Sequence, residues 1–554
     1  MNADSRMSPA LVIDAGDDVA VALADMHAGA TVPLNGRELR LAEEIPAKHK
    51  FALHSIAAGT PVRMYGVTVG IATRNIPPGG RITTENLAHR AEGYSVRSVE
   101  RPWTPPDVAH LRQRSFLGYR RADGQVGTRN YWLVFALVFC ENRNLQNLRE
   151  AFEEGLQPVA GEPYREQMRE LRHLYEQGKI DAIRSYQPTL QQPRTSSGTI
   201  FPNVDGIRFL VHDAGCGGTR QDAQTLCGLL AGYLHNPNVA GATVLSLGCQ
   251  NAQTAMLQEE IARRDAQFSK PLLIFDHQQS ALQEPMLGRA LRETFLALIE
   301  ANRCERQPAP LSALRVGLKC GGSDGFSGIT ANPALGYVAD MLAALGGTCI
   351  LSEFPELCGV EQELIDRCTN LEDAARFAAL MRAYSERAAA VDADFSMNPS
   401  PGNIRDGLIT DAMKSAGAVR KGGSSPVRAV LDYPEYATRP GLNLLCTPGN
   451  DVESVTAQVG AGANLVLFTT GLGTPTGNPI APVVKVASNS ALATRMPDII
   501  DFDCGGILSQ GQSIAQCGAD LLDFLVEVAS GTRKTAAELH QQNDFIPWKR
   551  GISL

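Results

Sequence analysis

Three times the chain reads Cys-Gly-Gly, beginning at Cys216, Cys320 and Cys504. Glycines at a turn let backbone N–H groups approach an anion closely, so each turn suits a carboxylate or a phosphate. The thiols could ligate a metal or an iron–sulfur cluster. They could equally be small buried residues at crowded turns, and the paired spacing of zinc sites is missing. The middle copy is the richest, because Cys320-Gly321-Gly322-Ser323-Asp324-Gly325 adds a hydroxyl and a carboxylate. It formally matches G-x-S-x-G. A nucleophile elbow needs a helix directly after the serine, and here Gly325, Gly328 and Pro333 follow, which disfavours a serine hydrolase.

Other reactive groups are placed by the expected strands. Ligands of open parallel sheets bind beyond the carboxyl ends of strands. There stand Cys140, His212-Asp213, Gly248-Cys249-Gln250, Asp276-His277, Glu353, Thr469-Thr470-Gly471 and Asp503-Cys504, beside the Cys320–Asp324 turn. Strand-end loops are generally polar, and a shared cleft drawing on several of these groups is the expectation. In the N-terminal stretch, His49 and Glu85 either ligate a divalent metal or stand in solvated loops.

The elements that must position these groups fall into three parts. Residues 1–95 read as a small β-rich unit. Met26-His27-Ala28-Gly29-Ala30-Thr31-Val32, Ile56-Ala57-Ala58-Gly59-Thr60-Pro61-Val62 and Ile76-Pro77-Pro78-Gly79-Gly80-Arg81-Ile82 share one pattern, an apolar residue, a glycine turn and a strand start. Val19–Leu23 and Val67–Ala72 add β-propensity. A proline-rich linker covers 96–112. From 113 to 305 strands and helices alternate: Trp132–Phe139, Ile207–Val211, Thr243–Leu247 and Leu272–Phe275 are apolar runs suited to buried parallel strands. Helices are expected at Asn144–Glu154 and near Tyr164–Gln177. Residues 306–554 repeat the logic, with strands at Leu314–Leu318, Thr348–Leu351, Leu442–Leu445, Leu465–Phe468, Val483–Val486 and Ile499–Phe502. Helices are expected near Ala334–Leu345, Glu361–Ala390 and Asp520–Ser530.

Composition narrows the function classes. The 554 residues exceed one hydrophobic core. Lys+Arg 51 against Asp+Glu 59 gives a net charge of −8, which argues against nucleic-acid and anionic-membrane partners. The longest strongly apolar run, Tyr131–Cys140, is half of the roughly 20 residues a membrane span needs. No secretory leader is recognisable, and the 12 cysteines form no CxxC, as expected of reduced thiols in a cytoplasmic protein. No Walker motif or HExxH occurs, and Gly471-Leu472-Gly473 is too short for a dinucleotide fingerprint, so no nucleotide cofactor is expected.

Gly118-Tyr119-Arg120-Arg121-Ala122-Asp123-Gly124, Phe201-Pro202-Asn203-Val204-Asp205-Gly206, and the run from Cys320 through Gly325-Phe326-Ser327-Gly328-Ile329-Thr330-Ala331-Asn332-Pro333 make a pattern. Asn398-Pro399-Ser400-Pro401-Gly402-Asn403 and Asn543-Asp544-Phe545-Ile546-Pro547-Trp548 extend it. In order and over nearly the whole chain, these motifs resemble the altronate and galactarate dehydratases. The resemblance implies an α/β chain with a small SAF-like N-terminal β domain followed by two α/β domains with mainly parallel sheets. It implies a hydro-lyase that converts a sugar acid to a 2-keto-3-deoxy acid and is stimulated by divalent iron or manganese. A related two-subunit enzyme type eliminates sulfite from sulfolactate. Where the family has His-x-His-Asn, this chain has Thr83-Thr84-Glu85-Asn86; His54 and His89 are the nearby histidines that could compensate. The family's Gly-Cys-Glu reads Gly248-Cys249-Gln250.

Dehydration of a 2,3-dihydroxy acid removes a weakly acidic proton beside a carboxylate, and the resulting enediolate needs strong stabilisation. The expected metal is Fe2+, with Mn2+ or Mg2+ as alternatives, held by His49 and Glu85 at the edge of the N-terminal domain. The substrate carboxylate is expected on Cys320, Gly321, Gly322 and Ser323, with Thr469, Thr470 and Gly471 alongside. His212, Asp324, Glu353 and Lys485 are the acid–base candidates. Each has a structural alternative: a core histidine, a turn cap, a loop carboxylate and a salt-bridged lysine. A homodimer is the expected assembly, and a ligand-binding protein without catalysis is the non-enzymatic alternative.

Overall fold

The computed structural model describes residues 8–34, 36–96, 101–156, 163–187 and 200–553. The less regular stretch 157–205 lies partly outside them; within it the expected second helix runs Pro163–Glu176.

Three small antiparallel sheets make the N-terminal unit. Ala10–Leu11, Val19–Ala22 and Lys50–Ala52 form one, Thr31–Leu34 and Arg37–Arg40 the second, and Pro61–Met64, Val67–Ala72 and Leu87–Ala88 the third. The turn glycines Gly29, Gly59 and Gly79 have φ of 77, 82 and 72°. In each turn the next N–H donates back to the carbonyl three residues earlier, as Ala30 does to His27 at 3.2 Å and Thr60 to Ala57 at 3.1 Å. The same bond recurs between His49 and Pro46 at 3.2 Å. This reveals a fourth copy of the pattern, Ile45-Pro46-Ala47-Lys48-His49-Lys50-Phe51, with Ile45 bridged to Met26 of the first. Lys48 occupies the glycine position with φ 73°, a left-handed conformation costing a side-chain-bearing residue about 1–2 kcal/mol.

The second part is built on a parallel sheet of Tyr131–Ala136 (β1), Gly206–Leu210 (β2), Val239–Ser246 (β3) and Leu272–Asp276 (β4), in the order β2-β1-β3-β4. All of β1 is buried, as its unbroken apolar sequence requires. The third part is a seven-stranded parallel sheet. Its strands are Arg315–Cys320 (β5), Thr348–Leu351 (β6), Val427–Leu431 (β7), Gly441–Leu445 (β8), Leu465–Thr470 (β9), Val483–Ala487 (β10) and Phe502–Asp503 (β11). Their order is β7-β8-β6-β5-β9-β10-β11. From β5 the chain winds outward on one side, then returns to β9 on the other. The point of reversal is the crevice between the carboxyl ends of β5 and β9, where sheets of this type bind ligands.

Three sequence expectations change here. Strand β7 was not expected. The last strand is shorter and later than Ile499–Phe502, because Asp501 uses its carboxylate to cap Lys485 N–H and Ala536 N–H instead of extending the ladder. The expected long helix is two helices, Glu361–Arg367 and Leu371–Ala389. Asn370 divides them by accepting the Asp373 N–H at 2.7 Å as an N-cap.

The parts are packed together. One apolar cluster runs from Val62, Val69 and Ile82 of the N-terminal unit into Leu318, Phe354 and Leu467. Another joins Leu133 and Tyr233 of the second part to Val459 and Phe468 of the third. Among the described residues, no helix is long and apolar enough to cross a membrane, and all twelve cysteines are free.

Candidate active site

At the switch point, Lys319, Phe468 and Lys485 form one register row across β5, β9 and β10. Residues of one row share a sheet face. Both ammonium groups stand over the Phe468 ring, Lys319 at 5.9 Å and Lys485 at 4.4 Å from its centroid. Lys319 is fully buried and pairs with Glu353 and, at 2.9 Å, with Asp451. Glu353 takes a second buried lysine, Lys421, at 2.8 Å. It also accepts the Cys320 N–H at 3.3 Å. Its own φ of 69° is a left-handed conformation of the kind retained where function demands it. Lys421 also donates to Cys320 Sγ at 2.8 Å. A third lysine, Lys414, pairs with buried Glu356 at 2.7 Å, and Asn398 bridges the two.

The electrostatics follow from this interleaving. Burial alone would drive Lys319 and Lys421 toward neutrality, yet Glu353 and neighbouring anions hold both well above the ordinary lysine value. Burial would raise Glu356, but Lys414, Lys319 and Lys421 hold it down at about 2. The Cys320 thiol is pushed up to about 11 by burial, against the pull of Lys421. Lys485 has no close carboxylate partner among the described residues; burial brings it down to about 7, and its ammonium donates to Thr476 O.

A second charged group lies on the other side of the Cys320–Asp324 turn. Asp324 is fully buried. Its Oδ1 accepts from Ser327 N–H, Ser327 Oγ and Ser488 Oγ at 2.8–2.9 Å. Its Oδ2 meets Asn489 Nδ2 at 3.2 Å and Lys48 Nζ at 3.1 Å. Lys48 also pairs with Asp406 at 2.6 Å. The left-handed turn of the N-terminal unit thus hands an ammonium to the C-terminal sheet. Beside it Lys50 is completely buried, donating to Gly407 O at 2.7 Å and Lys48 O at 3.0 Å, and burial brings it down to about 7. Gly471 closes this wall: a Cβ there would stand 2.2 Å from Asp324 Cγ.

Between the two groups runs the turn itself. Gly321 N–H goes to Thr469 O at 3.0 Å, and Asp324 N–H to Ser327 Oγ at 3.0 Å. The N–H groups of Gly322 and Ser323 meet no acceptor among the described residues, and Ser323 Oγ is buried without a partner. Two N–H groups and a hydroxyl without partners among the described residues thus share a turn with Gly322 at φ 59°, an arrangement of donors that suits an anion.

Cys320, Gly321, Gly322, Ser323, Asp324, Glu353 and Gly471 are therefore brought together, with Lys485 one strand beyond. Thr469 and Thr470 are strand residues, not loop residues. Thr469 Oγ donates to Asn332 Oδ1 at 2.6 Å, and Thr470 Oγ accepts the Gly473 N–H at 2.9 Å. His212 lies in the second part. Its Nε2–H donates to Ala136 O at 2.8 Å and its Nδ1 accepts the Ala214 N–H at 3.1 Å, so neither ring nitrogen is free for proton transfer. His49 Nε2 donates to Arg405 O at 3.1 Å. The Glu85 side chain is 78% exposed and held by Arg74 at 3.0 Å. Neither belongs to a cluster of three or more ligating side chains among the described residues. Cys216, Cys320 and Cys504 occupy separate surroundings: Cys216 is exposed, Cys320 faces Lys421, and Cys504 faces Cys517. The five lysines Lys48, Lys50, Lys319, Lys414 and Lys421 were not among the expected site residues. Only Lys48 left a usable trace, the register of a turn repeat with its glycine replaced.

The family models agree with this layout in chain order. The model of the altronate/galactarate dehydratase SAF domain matches residues 8–90, and that of the second domain of D-galactarate dehydratase/altronate hydrolase matches 118–302. The D-galactarate/altronate dehydratase C-terminal model matches 311–553, the part that carries the crevice. The altronate dehydratase of Escherichia coli (strain K12) is 32% identical over 546 residues, covering 98% of this chain and 99% of the relative. The chain belongs to the altronate/galactarate dehydratase family. The altronate dehydratase of Bacillus subtilis (strain 168) is 33% identical, with 97% and 98% covered. The galactarate dehydratase (L-threo-forming) of E. coli (strain K12) is 31% identical, with 95% and 94% covered. Membership makes the chain a hydro-lyase, and the altronate/galactarate dehydratase fold contains the SAF domain that delivers Lys48.

Proposed function

We propose that this chain dehydrates an aldonate or aldarate, of the altronate or galactarate type, to a 2-keto-3-deoxy acid in the crevice between β5 and β9. The observation that carries the reading is the unpartnered Gly322 N–H, Ser323 N–H and Ser323 Oγ on the turn between the Lys319–Glu353–Lys421 group and the Asp324–Lys48 pair, with Lys485, its pKa lowered to about 7, one strand beyond. In this reading the substrate carboxylate sits on the turn. The Lys319 and Lys421 ammonium groups, fixed by Glu353, oppose the negative charge that grows on the carboxylate as the α-proton leaves. Lys485 is the base: near neutral pH a substantial fraction is free amine, able to accept the proton at Nζ. Lys48, on the Asp324 side, holds a proton on Nζ for the departing β-hydroxyl, which leaves as water. Asp324 orients that ammonium.

The family resemblance also implies a divalent metal. The pair expected to hold it does not fit one here. Glu85 is turned to solvent and Arg74; His49 Nδ1 is buried without a partner, but neither residue joins a cluster of ligating side chains among the described residues, and Lys48 already sets a positive charge against Asp324. The steps above therefore use none.

The test is a panel of aldonates and aldarates offered to chelated protein, with and without added Fe(II), Mn(II) or Mg(II), scored by appearance of 2-keto-3-deoxy acid. Product from one sugar acid supports the reading and names the substrate. Tight sugar-acid binding without product under every condition sinks it.

A further inference from the structure

Away from the crevice, three side chains from separate stretches meet where the N-terminal unit rests on the C-terminal part. His89 follows the strand Leu87–Ala88, Cys358 follows the short helix Phe354–Leu357, and Asp411 opens the helix Asp411–Ala418. One ligating atom of each lies within 4.8 Å of the other two. The seam is tight here: a Cβ on Gly359 would touch Ala91 on one side and Ala412 on the other. Thr410 Oγ donates to Val69 O across it.

What marks the cluster is unspent ligand capacity. Asp411 is 1% exposed, and its carboxylate meets the weak thiol donor of Cys358 but no nitrogen or oxygen donor among the described residues. His89 Nδ1 is likewise buried and without a partner. A buried carboxylate left this way is costly unless it takes up a proton or a cation. A proton would answer Asp411 alone. A cation would also use the idle imidazole nitrogen and the Cys358 sulfur. Imidazole, thiolate and carboxylate together suit zinc or ferrous iron, whereas magnesium and calcium favour shells of oxygen alone.

We propose that His89, Cys358 and Asp411 bind one divalent transition-metal ion of this borderline class. The ion pins the N-terminal unit to the C-terminal part close to the crevice. Cys358 lies two residues beyond Glu356, and Asp411 three before Lys414, the pair joined at 2.7 Å. The ion is thus placed to hold the Lys48-bearing unit in register with the buried lysine cluster.

The experiment uses the full chain, purified anaerobically with a reductant and dialysed against metal-free buffer. Metal is counted by mass spectrometry in the wild type, His89→Ala, Cys358→Ser, Asp411→Asn and the exposed-thiol control Cys216→Ser. A single retained equivalent in wild type and control, falling by roughly tenfold to hundredfold or more in the other three, is the expected result. Cobalt(II) loading gives a sulfur-to-metal absorption band that Cys358→Ser removes and Cys216→Ser keeps. Chelation lowers the wild-type melting temperature and leaves that of Cys358→Ser unmoved, a reading that holds even if Asp411→Asn folds poorly. Retention of no metal by the wild type overturns the proposal, as does a metal content indifferent to all three substitutions. Since no substrate is present, failure here and failure of the dehydratase reading are separate outcomes.

Discussion

Among the described residues two parallel sheets end in polar crevices, and the two differ in how their charges are paired. At the ends of β5 and β9, buried charges are paired, Lys319 and Lys421 with Glu353, Lys414 with Glu356 and Lys48 with Asp324, while Lys50 and Lys485 bond to carbonyls. At the ends of β1 and β3, the polar groups are spent locally. Glu141 pairs with His277 at 2.8 Å, Gln250 binds Gly248 N–H and Ser246 Oγ, and His212 binds two backbone groups. The thiols of Cys140, Cys216 and Cys249 are exposed. The difference is one of covering. The N-terminal unit lies on the first crevice and drives a lysine into it, so charges there are desolvated and act at low dielectric. A strand end is an opportunity for a site; a second body laid over it makes the opportunity count.

The comparison is broken most severely by removing the anion that two buried lysines share. Glu353→Gln removes the one carboxylate paired with Lys421 among the described residues and leaves Lys319 only its ion pair with Asp451. Its expected effects are a loss of roughly 10³-fold or more in kcat/KM and a destabilisation of about 3–5 kcal/mol, the usual result of orphaning a buried charge. Steady-state kinetics and denaturant titration measure both. A variant with wild-type turnover would remove this crevice from consideration.

Lys48→Gly tests the covering unit itself. Glycine is at ease at φ 73°, so the backbone gains about 1 kcal/mol, offsetting part of the lost ion pair to Asp324. The expected outcome is a melting temperature within a few degrees of wild type and kcat/KM down by about 10²-fold. Equal activity in the two proteins would mean that the N-terminal unit contributes packing only.

Lys485→Met sharpens the same contrast through pH. The amine has its pKa lowered from 10.5 to about 7 in the folded chain. Between those values the unfolded chain binds more protons, so this group's destabilisation is full below pH 7 and fades as pH rises toward 10.5. The methionine variant is therefore more stable than wild type at pH 7, by a margin that shrinks toward pH 10. In activity, the rise of kcat/KM through pH 7 should vanish with the variant. If the rise persists unchanged, the base is another group, and Lys50, also near 7, becomes the candidate.

How much of this the sequence discloses depends on what each residue type advertises. Apolar runs such as Tyr131–Ala136 and Leu465–Thr470 announce buried strands. Val427–Leu431 does not, because Arg428 interrupts five residues at the sheet edge. The glycine turns are plain at Gly29, Gly59 and Gly79, while the fourth is concealed by the very lysine that makes it matter. Asp324 and Glu353 are legible from their places after β5 and β6. Lys319, Lys414 and Lys421 are not, since an isolated lysine in a sequence reads as a surface residue. Only the fold shows that each has a carboxylate within reach. Asp411 and His89 are further cases: among the described residues His89 Nδ1 has no partner and Asp411 meets no nitrogen or oxygen donor, which no sequence records.

His212 provides the smallest expected effect and the most direct contest between the two crevices. By residue type and position it is the natural acid–base group of the chain, a histidine just past β2. Yet one ring nitrogen donates to Ala136 O while the other accepts from Ala214 N–H. Burial lowers its pKa, which favours the neutral ring those two bonds require. His212→Ala should then cost about 1–3 kcal/mol for two buried backbone groups left unpaired, visible in a denaturant titration, while kcat/KM stays within about twofold of wild type in the folded variant. A collapse of turnover with stability intact would reverse the ranking of the crevices. It would mean that the imidazole gives up a backbone bond when substrate binds, and that the second sheet supplies chemistry its resting hydrogen bonds conceal.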